Sequence, residues 1–579
     1  MRGPSAPVLI LAIALAAWSA SPCAAQSAAQ SAAQSAAQPA AQPAGPAPAQ
    51  PASPPATQPA CPAPGLRIAH ITIDRRPVFD TPPGDTSLNA RLGAIANPLH
   101  VKTREHVIRE ELLFREGDQC LDEALAQSER NLRARGLFQT VAITAARREG
   151  DAVDVLVAAQ DAWTLRVSGD LARIGGALVW EVGLSDTNVA GHGFGVGVRH
   201  REDIAARVSS AWIGQDRLFG TRERLNLSVD DRSDGDAWAA GLARPFFAID
   251  TRWAHELSAS RLRDHWRLYD QGEVTDEFAR DAAGVTMRVA RRVGPAWPDR
   301  AWRVGAGYRF TAVEFGALGA AGAAQAAQAA GQMPPSHRFG GPFGSVQFLQ
   351  HRFVKRTGLI VPARDLDLNL GWQFTASGWV SIRSASLDTE SRLVVGASVS
   401  RGWTPGTRSI VTATAGANVR TGGENPADAD ATGALRAWWP HSAAHVTALA
   451  IDVRSLINPE PGYRVYLGGS AGLAGYREYA AYATRTAILQ VEERRYLPWT
   501  PAGLVQFGVA AFAGAGALGG QVSPSLDRRF LADAGFGLRI ALLKSPANTA
   551  ARLDIAFPLT TGPGGQRGPL LVVGYQRSF

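Results

Sequence analysis

The side chains that could do chemistry are spread along this 579-residue chain and form no recognisable catalytic motif. Its 11 histidines include two closely spaced pairs, His192 with His200 and His441 with His445, and neither pair shows a metal-ligand pattern with cysteines or carboxylates. Serine, histidine and aspartate all occur, but no G-x-S-x-G sequence marks a strand-to-helix boundary. We therefore expect no enzyme activity, no catalytic residues, no metal site and no cofactor.

Composition and the N-terminal residues indicate a folded, exported protein. Hydrophobic residues make up 46% of the chain and charged residues 19%, proportions that suit a packed fold. The net charge of +8 forms no basic run, so we expect no binding to nucleic acid. Residues 1–25 combine Arg2 with an apolar run from Val8 to Trp18, which predicts a secretory signal peptide. Residues 26–65 consist mainly of Ala, Gln and Pro and predict a disordered linker.

Apolar and polar residues alternate with a period of two in many stretches after residue 160. The clearest run is Leu366 to Phe374, and others lie from Trp302 to Phe310 and from Leu553 to Phe557. A strand with this period has one apolar face and one polar face. Half-buried soluble sheets and membrane barrels share this property, so the alternation alone does not choose between them.

The rest of the chain favours a membrane barrel. No stretch after the signal peptide has the ~18 uninterrupted apolar residues that a membrane helix needs. An exported chain can still enter a membrane by closing a sheet, so that no backbone edge meets lipid. We therefore predict a mainly β fold in which residues 161–579 form a transmembrane antiparallel β-barrel. We expect sixteen strands, which would leave about 26 residues for each strand with its connection and would suit strands of ~10 residues with short turns and longer outer loops.

The end of the chain carries a separate indication. Leu571, Val573, Tyr575 and Phe579 share one face in a period of two, and Phe579 is the last residue. A terminal aromatic strand of this kind resembles the sorting signal of outer-membrane barrel proteins. Arg577 departs from the apolar residue that is usual at its position.

Residues 66–160 predict a small α+β domain ahead of the barrel. The predicted order is strand, helix, helix, strand, strand, with Thr103 and Asp118 as N-caps of the helices. This order, with the sequences LLFREGD from Leu112 and ERNLRARGLF from Glu129, resembles a POTRA domain. Such domains are the periplasmic modules that precede the barrels of the BamA, TamA and two-partner-secretion superfamily, which includes bacterial surface antigens. One module fits here, whereas BamA-like proteins carry several.

Two cysteines remain after the predicted signal peptide: Cys61 precedes the first predicted strand of this domain, and Cys120 lies at the start of its second predicted helix. In an oxidising periplasm an even pair of cysteines can form a disulfide. The alternative is two unpaired thiols, and the sequence leaves both states open. If the disulfide forms, we expect its role to be structural.

Sequences near the C-terminus resemble, in order, the closing third of barrels in the same superfamily. They are LGGSAGLAGYREY from Leu467, VEERRYLPW from Val491, FGVAAFAGAG from Phe507 and GFGLR from Gly535, with SDTNVAGHG from Ser185 resembling an early hairpin. The resemblance implies that a glycine-rich loop folds back into the barrel lumen. Its tip would contain Leu473, Ala474, Gly475, Tyr476 and Arg477. The strands that hold this tip would contribute Glu492, Arg494, Gly514 and Gly516.

The loop departs from the family pattern at its central position. The family's loop arginine corresponds to Ala474, and the aspartate that would pair with it falls near Gly514, so we expect both charges to be missing. Removing one member of a buried ion pair costs about 3–5 kcal/mol, whereas removing both can be nearly neutral. Paired loss therefore predicts a remodelled attachment of the loop. Arg477 is a candidate to replace the arginine by reaching a lumen carboxylate.

By this resemblance we expect a protein of the bacterial outer membrane, with its N-terminal domain in the periplasm, that inserts polypeptide into the membrane or moves it across. Its expected partners are outer-membrane lipid, unfolded polypeptide clients and periplasmic factors. The domain would offer sheet edges to a client strand. A weak seam, where the first strand near Trp163 meets the strand ending at Phe579, could open laterally. The alternative is a passive channel or structural surface protein that has lost the transport role.

Overall fold

The chain forms a small N-terminal α+β domain followed by a large antiparallel β-barrel, which confirms the predicted fold class. The computed structural model describes residues 60–79, 84–86, 88–147, 150–174, 177–295, 297–318, 331–362, 365–382, 391–422, 427–543 and 550–576. The predicted signal peptide (1–25), residues 26–59 of the predicted linker, and Phe579 lie outside the described residues.

The N-terminal domain packs helices on a three-stranded sheet. Its elements are β1 (Arg67–Arg76), α1 (Leu88–Ala96), α2 (Glu105–Arg109), α3 (Asp122–Ala134), β2 (Phe138–Arg147) and β3 (Ala152–Asp161). Strand β3 lies in the middle, parallel to β1 and antiparallel to β2. One apolar core joins α2, α3 and the sheet, and it includes Val107, Ile108, Leu125, Leu132, Val141, Ile143, Val153, Val155 and Val157. Full burial of each such side chain stabilises the fold by about 1.5–3 kcal/mol.

The structure adds helix α1 to the predicted order and corrects both predicted N-caps. Neither α2 nor α3 has a side-chain cap. The backbone N–H of Thr103 donates to Asp161 (2.8 Å), and its hydroxyl accepts a hydrogen bond from Asn188 of the barrel (2.8 Å). Asp118 accepts a hydrogen bond from the backbone N–H of Arg115 in the preceding turn (2.8 Å). The side chains of Thr103 and Asp118 are therefore engaged in these hydrogen bonds and do not cap the helices.

Cys61 and Cys120 form a disulfide, with their Cα atoms 6.0 Å apart. The bond ties the segment before β1 to the segment before α3. The backbone N–H of Cys61 also donates to the carboxylate of Asp122, at 2.7 Å. A disulfide that closes a loop of this kind typically stabilises a domain by about 2–4 kcal/mol. Its role here is therefore structural.

Twenty strands of the described residues close into one antiparallel barrel. They are β4 (Leu165–Ile174), β5 (Ala177–Asp186), β6 (Phe194–Glu202), β7 (Arg207–Gln215), β8 (Arg224–Arg232), β9 (Gly235–Arg244), β10 (Trp253–Asp270), β11 (Glu273–Val293), β12 (Arg300–Gly316), β13 (His337–Gln350), β16 (Gln373–Ser381), β17 (Arg392–Trp403), β18 (Ile410–Thr421), β19 (Asp428–Ser442), β20 (His445–Ile457), β22 (Ala481–Tyr496), β23 (Val505–Val522), β24 (Phe530–Leu542), β25 (Ala550–Pro558) and β26 (Leu570–Gln576). Two further strands, β14 (Phe353–Thr357) and β15 (Asp365–Asn369), form a separate hairpin, and the short β21 (Val465–Leu467) pairs with β22.

The prediction of sixteen strands is wrong because several connections are shorter than it assumed. Turns of two to four residues, at 203–206, 233–234, 271–272 and 443–444, join neighbouring strands. The same length of chain therefore forms four more barrel strands than predicted.

The barrel wall is apolar outside and mixed inside. On β12, Trp302, Val304 and Tyr308 are exposed on the outer face, whereas Arg303 and Thr311 are buried on the inner face. Strand β25 repeats this pattern, with Leu553, Ile555 and Phe557 exposed and Asp554 and Ala556 buried. The alternation predicted for these two stretches is thus confirmed. An outer face of this composition is typical of a barrel in contact with lipid.

The run from Leu366 to Phe374 is not one barrel strand, contrary to the prediction. Strand β15 covers its first part and β16 its last. Between them Gly371 passes so close to Gln350 that a Cβ on the glycine would lie 2.2 Å from the Gln350 carbonyl oxygen. The chain changes direction there, so Leu368 packs against an apolar cluster inside the barrel while Trp372 is exposed.

The two ends of the barrel differ in what they carry. Strand β4 begins, and β26 ends, at the end that carries the N-terminal domain, which we call the proximal end; the other is the distal end. Among the described residues, β26 and β4 share one pair of register partners, Val573 and Arg173, whereas β4 and β5 share ten.

In the described part of the chain, no helix has the length and apolarity needed to span a membrane.

Candidate functional site

Two segments enter the barrel lumen from opposite ends. From the distal end comes the connection between β20 and β22, residues 458–480, which we call the lumen loop. From the proximal end comes the hairpin of β14 and β15, residues 353–369, which we call the proximal hairpin. Each segment buries apolar side chains against the inner face of the wall.

The tip of the lumen loop packs into a groove on β23. Leu473 and Tyr476 are fully buried there. Gly514 and Gly516 lie beneath Leu473: a Cβ would come within 2.7 Å of a Leu473 methyl carbon at Gly514, and within 3.2 Å of one at Gly516. The two glycines therefore form the floor of the groove, since any larger residue would displace the loop tip.

The carboxylate expected to be missing is present on the neighbouring strand. Asp533 of β24 is the direct cross-strand partner of Gly514 and is only 2% exposed. Its Oδ2 accepts a hydrogen bond from the backbone N–H of Gly475, at 2.7 Å. The expectation that both charges are lost is therefore wrong. Ala474 replaces the arginine, while a carboxylate remains and binds the loop backbone, and a hydrogen bond to a charged group contributes about 1.5–3 kcal/mol.

Tyr476 attaches the loop tip to β24 and to the connection between β25 and β26. Its hydroxyl lies 2.7 Å from both the Ala532 carbonyl oxygen and the Thr560 hydroxyl. The backbone N–H of Ala532 in turn donates to the Tyr476 hydroxyl, at 3.2 Å. Since a phenol offers one proton and can also accept, these contacts satisfy the buried group. Gly475 is required beside it, because a Cβ there would lie 2.8 Å from the Asp533 Cβ.

Arg477 does not replace the missing arginine. Its side chain is exposed and forms no ion pair with a carboxylate of the described residues. Its backbone N–H donates to Gln566 Oε1 (3.2 Å), and Gln566 Nε2 donates to the Gly475 carbonyl oxygen (3.0 Å). Gln566 thus binds two backbone groups of the loop tip, a role that no sequence motif indicated.

Arg494 binds the proximal hairpin, so the prediction that it holds the loop tip is wrong. Its Nη1 donates to the Ile360 carbonyl oxygen at the hairpin tip, at 3.0 Å. The loop tip instead contacts Gln490, whose side-chain amide donates to the Gly472 carbonyl oxygen. Because a strand rises about 3.3 Å per residue, Arg494 lies roughly 13 Å closer to the proximal end than Gln490.

Glu492 belongs to a buried ionic cluster on the inner wall. Its carboxylate lies 2.9 Å from Arg494 and 3.1 Å from Arg539, and Arg539 also pairs with Asp554. All four side chains are almost completely buried. Arg539 and Asp554 come from β24 and β25, so the cluster joins strands that are not neighbours of β22. Arg539 ends the GFGLR sequence, but neither Arg539 nor Asp554 has a role that the sequence indicates, because only the pairing of β22 to β25 brings them to Glu492.

The tip of the proximal hairpin packs against the wall between β18 and β24, away from the hairpin's base. Leu359 and Val361 are each 1% exposed. They belong to apolar clusters with the wall residues Ile410, Trp438, Val446, Ala448, Tyr496 and Ala541. These residues come from β18, β19, β20, β22 and β24, whereas the hairpin starts between β13 and β16. The hairpin therefore lies across the proximal mouth of the barrel.

The N-terminal domain contacts the base of the proximal hairpin. Arg133 of α3 forms an ion pair with Asp367, at 2.7 Å, and the Arg130 guanidinium lies 4.6 Å from the centre of the Phe353 ring. Burial alone would lower the pKa of Arg133, but the carboxylates of Asp367 and Glu129 outweigh burial and raise this pKa. Arg133 is therefore a permanent cation between one carboxylate of the domain and one of the hairpin.

Glu129 extends this contact to the edge of the domain's sheet. One of its carboxylate oxygens pairs with Arg133. The other accepts a hydrogen bond from the backbone N–H of Ile143, at 3.1 Å, on the outer edge of β2. A continuous chain of polar contacts thus runs from edge strand β2 through α3 to Asp367 of the hairpin.

The domain also docks on proximal turns of the barrel. Asn188 and Gly191, in the turn between β5 and β6, bind Thr103 (2.8 Å) and the backbone N–H of Arg104 (2.9 Å). Arg217, in the turn between β7 and β8, pairs with Glu111 through a hydrogen bond of 2.8 Å from Nε. The segment from Ser185 to Gly193 therefore forms part of the surface that the N-terminal domain contacts.

The predicted sorting strand corresponds to β26. Leu571 is exposed on the outer face, and Val573 is the residue that pairs with β4. Tyr575 pairs with Ala551 of β25. Phe579 lies outside the described residues, so the role of the terminal aromatic residue stays a prediction.

No protein-family model and no curated protein matches the chain. Among solved structures, BamA from Haemophilus ducreyi lacking POTRA domains 1–3 is similar at 13% identity and a TM-score of 0.34, over 89% of this chain and 84% of that one. CdiB from Acinetobacter baumannii is similar at 12% identity and a TM-score of 0.43, over 94% and 96%. The FrpB iron transporter from Neisseria meningitidis is similar at 9% identity and a TM-score of 0.39, over 76% and 86%. At these identities and TM-scores, the likenesses assign neither a family nor a function.

Proposed function

We propose that the protein resides in the bacterial outer membrane, where it inserts polypeptide into the membrane or moves it across, with its N-terminal domain in the periplasm. The closed barrel with an apolar outer face supports residence in a membrane. Exposed tryptophans near the proximal end, where membrane and water would meet, support the same conclusion. They include Trp253, Trp302, Trp403, Trp439 and Trp499.

The observation that carries the transport proposal is the chain of contacts from edge strand β2 to the proximal hairpin. A client strand that adds to β2 needs the outward N–H group of Ile143 for its own ladder. That group is held by Glu129, so strand addition displaces the Glu129 carboxylate. Arg133, held between Glu129 and Asp367, then loses one of its two partners and shifts. Binding of a client at the domain would in this way loosen the hairpin at the mouth of the barrel.

The barrel seam supports insertion as the outcome of this step. Strands β26 and β4 share one register pair among the described residues, whereas β25 and β26 share seven. The ladder with the fewest register pairs among the described residues is the place where the ring would open at least cost. A client strand could then add to the freed edge and leave sideways into lipid.

Depletion of the protein followed by proteomics of the outer membrane tests the function. We expect specific outer-membrane clients to disappear. A photo-crosslinking residue at Ala142, exposed on β2, should then capture those clients, while the same residue at Thr72, exposed on β1, should not. An unchanged proteome together with a stable open pore in planar bilayers would support the passive channel instead.

A further inference from the structure

Three side chains that can bind metal meet on the outer face of the barrel near its proximal end. They are His441 of β19, His445 of β20 and Glu493 of β22, and one ligand atom of each lies within 4.8 Å of the other two. The sequence predicts no metal site because Glu493 lies 48 residues beyond His445. The three meet only because β20 pairs directly with β22, so that the lumen loop between them leaves the wall.

A β-bulge positions His441. Pro440 pairs with Val446 and Ser442 pairs with His445, so His441 is an extra residue without a cross-strand partner. Bulges re-aim side chains in this way and are common next to functional sites. The His441 ring lies 4.6 Å from the His445 ring, centre to centre, and its Nε2 is 2.7 Å from the Thr447 hydroxyl.

The carboxylate is oriented by its own neighbours. Glu493 is the direct cross-strand partner of Thr447, and the Thr447 hydroxyl donates to Glu493 Oε2. The other carboxylate oxygen is hydrogen-bonded to His445 Nε2. Outer contacts such as that of Thr447 fix the orientation of metal ligands. The cross-strand partner of His445 is the exposed Arg495, whose charge is screened by solvent.

We propose that His441, His445 and Glu493 form a binding site for a divalent transition-metal ion, with Zn²⁺ the best match. Two imidazole nitrogens and one carboxylate oxygen are a ligand set typical of zinc sites that keep a fourth position open. Imidazole also suits copper and nickel, whereas calcium and magnesium require mainly oxygen ligands. The side chains of His445 and Glu493 are 36% and 45% exposed, and they lie beside the turn at 443–444, at the proximal end where membrane and water would meet, so the ion can enter from the water side.

The site lies around the turn on which the proximal hairpin rests. Gly358 of the hairpin approaches this turn so closely that a Cβ would lie 2.8 Å from the Ala443 carbonyl oxygen. The Ala444 carbonyl oxygen accepts a hydrogen bond from the backbone N–H of Tyr496, at 2.7 Å. An ion bound to β19, β20 and β22 would hold the two sides of this turn together. The site does not depend on the proposed transport function.

Zinc binding to the purified, detergent-solubilised protein tests the proposal. The protein must carry no histidine tag and be stripped with a chelator before titration with Zn²⁺ by calorimetry. We expect one Zn²⁺ per chain, and X-ray absorption should show two imidazole nitrogens with oxygen. The variants are His441→Ala, His445→Ala and Glu493→Gln, with His200→Ala as the control because His200 lies on another part of the barrel.

Removing a residue that contacts a metal ligand typically weakens metal binding by roughly 10- to 100-fold. Removing a ligand itself should weaken zinc binding by more than this. The change in gel mobility on heating reports whether each variant is folded. If His445→Ala does not fold, the zinc affinity of His441→Ala tests the proposal. Zinc affinity that is equal in the wild type, the ligand variants and the control would overturn the proposal, as would absorption spectra without imidazole.

Discussion

Arg133 of the N-terminal domain and Asp367 of the proximal hairpin form an ion pair, with Nε 2.7 Å from Oδ2, although 234 residues separate them. Their side chains are only 6% and 14% exposed. Leaving a buried charge without any partner costs about 3–5 kcal/mol, and removing Asp367 costs less because Arg133 keeps Glu129. This pair therefore ties the position of the hairpin to that of the domain.

Replacing Asp367 with Asn should loosen the hairpin at the proximal mouth. We expect more frequent channel openings in planar bilayers, because Arg133 loses its partner on the hairpin. The matched control is Asp365→Asn, which removes a carboxylate that pairs with Lys355 within the same hairpin, at 2.8 Å. If the two variants conduct alike, the contact with the domain does not hold the hairpin.

Replacing Asp533 with Ala should release the tip of the lumen loop. The backbone N–H of Gly475 would lose its acceptor, at a cost of about 1–3 kcal/mol for a buried unpaired group. Faster hydrogen–deuterium exchange of residues 470–480, followed by mass spectrometry, would report the release. Asp527→Ala, in an exposed connection between β23 and β24, serves as the control and should leave exchange unchanged. Equal exchange in the two variants would contradict the role assigned to Asp533.

Replacing Tyr476 with Phe should destabilise the barrel without altering its shape. The change removes a hydroxyl bound to Ala532 and Thr560, and each such hydrogen bond contributes about 0.5–1.5 kcal/mol. We expect the temperature at which the folded band disappears in gel electrophoresis to fall. Tyr308→Phe, on the exposed outer face, should leave that temperature unchanged. A variant as heat-resistant as the wild type would show that the hydroxyl is dispensable.

A disulfide across the seam should block insertion of clients. Cysteines at Val573 and Arg173, the register partners that join β26 to β4, would lie at the ~4.5–5.5 Å Cα spacing of cross-strand pairs, which suits a disulfide. We expect loss of client insertion under oxidising conditions and recovery after reduction. Cysteines at Ile555 and Leu571, partners within the longer β25–β26 ladder, form the control pair. Full activity of the oxidised seam variant would exclude lateral opening.

The sequence by itself determined which faces of the barrel strands are apolar and which residues form the core of the N-terminal domain. The alternation from Trp302 to Phe310 appears in the structure as an exposed outer face and a buried inner face. Val153, Val155 and Val157 follow one another in the sequence with a period of two, and all three are buried in the domain core. Such patterns are local, because a strand's side chains alternate whatever the strand pairs with.

Only the tertiary structure decided which distant residues meet. The run from Leu366 to Phe374 has the alternation of a wall strand, yet its first half lies in the proximal hairpin. Asp533 restores the carboxylate near Gly514 because the register of β23 and β24 places the two residues opposite each other. Glu493 reaches His445 because β22 pairs with β20. Register and closure depend on contacts across the whole ring, and no local pattern in the chain specifies them.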